Sequence, residues 1–93
     1  MPLHRVSIFT DYEYSTEPSG AAELWISPTG VGVPSDVGSD WVFFGSSTAW
    51  VNDSMEYYVL FTAGVLDIGK YAIGRFTTGG QSSDWSVKKV ITV

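Results

Sequence analysis

Apolar positions recur every second residue along most of this chain, and the runs are short. In Arg5–Thr10 (RVSIFT), Val6 and Ile8 share one side of an alternating pattern. Ala21–Ser27 repeats it with Ala22, Leu24 and Ile26. Trp41–Phe44 is a short apolar strand, and Thr48–Val51 is another, leading into a turn at Asn52-Asp53-Ser54. Met55–Thr62 (MEYYVLFT) carries the densest aromatic and β-branched content and gives the clearest strand signal. Lys70–Thr77 follows, and Trp85–Val93 closes the chain with Val87, Lys89, Ile91 and Val93 alternating. Between these runs stand turn formers: Glu17-Pro18-Ser19-Gly20, the Pro- and Gly-rich stretch Pro28–Ser39, and Thr78–Ser83. No window holds a helical period of useful length. About seven strands spaced near ten residues apart predict an all-β antiparallel sandwich.

Two groups of residues connect this pattern to known architecture. The segment Leu66-Asp67-Ile68-Gly69-Lys70-Tyr71 resembles the D-x-G-x-Y corner that leads into strand F of immunoglobulin-like domains. That resemblance implies a buried Tyr71 whose hydroxyl bonds back to backbone within Gly64–Gly69. It also implies that Trp41 sits on strand C at the centre of the core. A second resemblance runs through Asp40-Trp41-Val42-Phe43, Glu56-Tyr57 and the stretch from Gly69 to Gly80. These blocks look like those of small immunoglobulin-like accessory modules in secreted bacterial multidomain proteins. Ile68 stands where those modules usually have Pro, and Trp85 falls a few residues late. The likeness implies an extracellular setting within a parent chain, beside hydrolase or nuclease domains, with a role in spacing, packing or polysaccharide contact.

Length fits one domain over residues 1–93, with a single core. The expected core is Val6, Ile8, Leu24, Ile26, Trp41, Phe43, Tyr57, Val59, Phe61, Tyr71, Ile73 and Val90 or Ile91. No cysteine is present, so thiolate, disulfide and iron–sulfur chemistry have no residues to work with. Five Lys and Arg against ten Asp and Glu leave a net charge of −5, without the basic footprint that nucleic acid or an anionic membrane surface requires. Met1–Arg5 is not followed by the apolar run of a signal peptide.

Catalysis has little to build on. The one imidazole, His4, lies near a terminus expected to be a mobile tail. The acid pairs Asp11 with Glu13, Asp36 with Asp40, and Asp53 with Glu56 read as solvated loop carboxylates. The last two loops also offer oxygen ligands for a structural calcium, without an EF-hand pattern. No phosphate-cradling glycine motif is complete. The expectation is therefore no enzyme and no cofactor.

Aromatic residues are the remaining candidates for binding. Tyr12, Tyr14, Trp50 and Trp85 stand in or beside polar loops. Their rings either cover the open ends of the core or stack on the sugar rings of a neutral polysaccharide. The alternative is a protein-interaction module that pairs through an exposed edge strand, Thr48–Val51.

Overall fold

The structure, a computed structural model, describes residues 3–9, 20–53, 56–78 and 80–92. It is all-β. The strands are β1 (Leu3–Phe9), β2 (Ala22–Ser27), β3 (Val42–Ser47), β4 (Val51–Asp53), β5 (Glu56–Thr62), β6 (Tyr71–Thr78), β7 (Gln81–Ser82) and β8 (Lys89–Val90). One turn of 3-10 helix, Val65–Asp67, sits between β5 and β6.

All described pairings are antiparallel. One sheet has the order β1-β5-β4, and the other runs β3-β2-β6-β7 with β8 also paired to β6. The chain therefore does not run hairpin after hairpin. β1 pairs with β5, placing Val6 opposite Val59 and Ile8 opposite Tyr57. β2 lies between β3 and β6 in the other sheet.

Alternation explains which residues go inside. Ala22, Leu24 and Ile26 of β2, Tyr57, Val59 and Phe61 of β5, and Ala72 of β6 belong to one buried cluster fed by both sheets. Ala63, Trp50 and Ile91 complete it, and Phe76 packs against it from the side. Burying a Leu or Val here contributes about 2 kcal/mol. Ala22 and Ala72 are fully buried in this cluster, a role that small side chains hide in a sequence.

Several sequence expectations need correction. His4 is not in a tail: it lies in β1, in register with Phe61. Asn52 and Asp53 belong to β4 rather than to a turn. Trp41 is buried as expected, but it precedes β3 and stands apart from the main cluster. Its indole N–H points to the carbonyls of Val31 and Gly32, at 3.0 and 3.2 Å. Trp41 thus anchors the 28–40 loop. Phe43 is exposed because a register shift between Leu24 and Trp25 lets β3 carry one extra residue. Phe43 then faces Trp25 on the outer side of the sheet, while Phe44 makes an edge contact with Phe61 of the other sheet.

The expected Tyr71 hydroxyl bond is also absent. Among the described residues nothing joins that hydroxyl to Gly64–Gly69, and Tyr71 is half-buried. The corner is closed by backbone instead: Lys70 N–H bonds Asp67 O, Gly69 N–H bonds Ile91 O, and Ile91 N–H bonds Lys70 O. The Tyr71 ring lies on the outer sheet face against Gly30, where a Cβ would come within 2.5 Å of its Cγ. Gly30 also has φ +69°, so both space and backbone call for glycine there.

The closing segment is not a continuous strand. Among its described residues Lys89 and Val90 alone pair with β6 as a strand, Ile91 is buried, and Val90 is exposed. Upstream, two serines replace ladder partners. Ser83 N–H bonds Phe76 O and its Oγ accepts from Phe76 N–H at 3.0 Å. Ser86 does the same for Gly74, its Oγ accepting at 3.0 Å. This detour satisfies the β6 edge and lifts Trp85 onto the outer face.

Candidate functional site

Two surface constellations stand out, and they meet at Phe43. The first covers the outer face of the larger sheet. The register puts Trp25 opposite Phe43 on one side and Ile73 on the other, with Glu23 opposite Arg75. Trp25 meets Phe43 edge-on at 5.3 Å and Trp85 edge-on at 6.2 Å. The Arg75 guanidinium lies 4.3 Å from the centroid of the Trp85 ring. Arg75 Nε also donates to Glu23 Oε1 at 2.6 Å, and Trp25 Nε1–H donates to the same oxygen at 3.0 Å. Glu23, Trp25, Arg75 and Trp85 are thus locked to one another. They are half-exposed, and Phe43 is 49% exposed.

The second constellation is the edge of the same sheet. Among the described residues β3 pairs only with β2, and no described strand pairs with its other side. Val42, Phe43 and Phe44 are consecutive and all exposed. The strand VFFGSS carries no charge and no Pro, two features that commonly protect an edge. Beside it a cavity of about 200 Å³ is lined by Ile26, Pro28, Val42, Phe43 and Phe44. Its polar rim is Asp67 and Lys70, whose Nζ and Oδ1 are 3.2 Å apart.

The 28–40 loop beside this edge is held from within. The Ser27 hydroxyl is fully buried; it donates to Asp40 Oδ1 and accepts from Gly30 N–H at 2.9 Å. Thr29 Oγ1 donates to Asp40 Oδ2 at 2.6 Å. The Ser27 hydrogen bond first, then that of Thr29, holds the Asp40 carboxyl below its ordinary pKa of 3.8. Asp36 Oδ2 accepts from Val33 N–H at 2.9 Å. These loop acids serve as turn formers. Among the described residues no three His, Asp or Glu side chains converge as a metal site would need.

The sequence-predicted rings separate sharply. Tyr12 and Tyr14 lie outside the described residues. Trp50 is turned inward: it is buried, its indole N–H bonds Gly20 O at 2.8 Å, and its ring meets Phe76 edge-on at 6.2 Å. It closes the end of the core and presents no open face. Of the two described rings, Trp85 is the one at the surface, and its partners are Arg75 and Trp25. Of the predicted edge Thr48–Val51, only Val51 is in a strand, β4, which does border the smaller sheet. Sequence reasoning missed Trp25, Phe44, Glu23 and Arg75. Trp25 was legible in principle, since it alternates out of phase with Ala22, Leu24 and Ile26. Phe44 was not, because a bulge changes the phase without a marker residue.

Compared with protein families, curated proteins and solved structures, the chain matches none.

Proposed function

We propose that this domain is a non-catalytic accessory module of a larger extracellular bacterial protein, and that it works by docking an extended segment of another polypeptide along β3. The observation that carries this reading is the run Val42-Phe43-Phe44, exposed on the open edge of a sheet. An added strand satisfies backbone N–H and C=O groups and covers apolar side chains at once. The extracellular, multidomain setting rests on the motif likeness of Asp40–Phe43, Glu56-Tyr57 and Gly69–Gly80 to secreted accessory modules.

Panning displayed random peptides against the domain tests the reading. The expected result is enrichment of extended, Pro-poor peptides that no longer bind the Val42→Arg variant. Enrichment indifferent to Val42→Arg, or none at all, overturns it.

A second reading has its own observation. Half-exposed Trp25 and Trp85, with exposed Phe43, gather three aromatic rings on one sheet face, the kind of surface that meets a neutral polysaccharide. Few rings are available, so the dissociation constant falls near the millimolar end, about −4 kcal/mol. Titration of xylan, starch and β-glucan oligosaccharides against Trp fluorescence separates the two: glycan binding lost in Trp85→Ala and kept in Val42→Arg favours the polysaccharide.

A further inference from the structure

We infer that the segment docking on β3 carries one large apolar side chain, seated in the cavity beside the strand, and is flanked by basic residues. This rests on the edge-docking reading and adds the partner's chemistry.

The cavity and the edge are one site. Val42, Phe43 and Phe44 both form the open strand and line the cavity, so a strand added there passes along its mouth. Alternate side chains of an added strand point to one face, which brings one of them toward Ile26 and Pro28. A volume of about 200 Å³ suits a side chain of Phe or Leu size, since a void of about 150 Å³ is enough for benzene. The lining is apolar except at the rim. There Lys70 and Asp67 neutralise each other and leave no net charge to attract a charged anchor.

Charge decides between a second copy of this chain and a different partner. Residues 42–51 contain no charged side chain, so the field felt along the strand is set by the charges of the rest of the domain. The domain as a whole carries −5. Two copies meeting edge to edge bring −5 against −5, whereas Lys or Arg flanking an apolar anchor are drawn to the same field. The partner is therefore a basic extended segment of a different polypeptide.

The test uses the whole domain and a blocked synthetic peptide, Lys-Thr-Val-Phe-Val-Thr-Lys. Amide chemical shifts locate the contact and titration gives the affinity. The expected result is saturable shifts centred on β3. Replacing the peptide's Phe with Ala weakens binding roughly tenfold or more. Replacing both Lys with Glu weakens it as well, and that loss shrinks as salt is added. The protein variant Val42→Arg abolishes the shifts, while Val51→Lys, on the edge of the other sheet, does not. Equal binding of the Phe, Ala and Glu-flanked peptides at β3 overturns the anchor and charge assignment while leaving edge docking intact. No shifts at β3 with any peptide overturns both. A dimer in sedimentation whose interface is β3 identifies a second copy as the occupant and also overturns the inference. The peptide substitutions are read on the unaltered domain, so they stand even where a protein variant is unstable.

Discussion

Arg75 stacks on Trp85 while its Nε holds Glu23, so one cation serves a ring and a carboxylate together. Because Trp25 Nε1–H also donates to Glu23, four side chains from β2, β6 and the segment after β7 form one closed set on the outer face. It adds to the bonds of Ser83 and Ser86 to β6 in fixing the detour that carries Trp85. The set explains how an irregular segment acquires one position.

Removal of the cation tests that linkage. Arg75→Ala is expected to destabilise the domain by about 1–2 kcal/mol, combining a partly exposed ion pair with the cation–π contact. Arg75→Lys keeps the charge but not the planar stack, and recovers only part of the loss. Chemical denaturation followed by Trp fluorescence measures both. Unchanged stability in Arg75→Ala shows that the set is incidental.

Gly30→Ala introduces a Cβ at φ +69°, aimed at the Tyr71 ring. It is expected to cost about 2 kcal/mol or more. In a Tyr71→Ala background the steric part disappears and only the backbone part remains, so the double mutant is markedly less unstable than the two losses added. Strict additivity in thermal melts contradicts the contact.

Tyr71→Phe gives the opposite kind of result. The hydroxyl has no bond into Gly64–Gly69, so stability changes by less than about 0.5 kcal/mol. A loss of 1–3 kcal/mol, the cost of an unpaired buried partner, restores the corner expected from the Asp67-x-Gly69-x-Tyr71 spacing.

Acid tests the role of Asp40. Its folded pKa lies below the ordinary 3.8, chiefly through Ser27 and then Thr29. A depressed carboxylate contributes stability that is present above the unfolded pKa and is lost as pH falls through the folded one. Asp40→Asn and Ser27→Ala are therefore expected to flatten the decline in melting temperature below about pH 4. An acid limb as steep as that of the unaltered domain removes Asp40 from the account.

The fold was legible where alternation is uninterrupted. Leu24, Ile26, Tyr57, Val59 and Phe61 are buried as their periods predict, whereas β6 turns Ala72 to the core cluster and buries Ile73 on the opposite face beside Trp25. It failed where a local device changes the phase. The β3 bulge sends Phe43 out and Phe44 toward Phe61. The serine bonds at Ser83 and Ser86 turn an apparent closing strand into an edge-following segment. Trp50 looked like a loop ring because a three-residue strand next to it leaves almost no periodic signal. The site was less legible still. An open edge is a property of strand order, and β3 lies at an edge only because β2 pairs with β6, far along the chain.

The central claim is that β3 is a docking edge, and a map of amide protection tests it most directly. Hydrogen exchange of residues 42–47 is measured free and with saturating Lys-Thr-Val-Phe-Val-Thr-Lys peptide. The account predicts slowed exchange in β3 amides that point away from β2, with β4 and the Trp25–Trp85 face unchanged. Protection confined to the Trp25–Trp85 face, or no change in β3 at saturation, contradicts it.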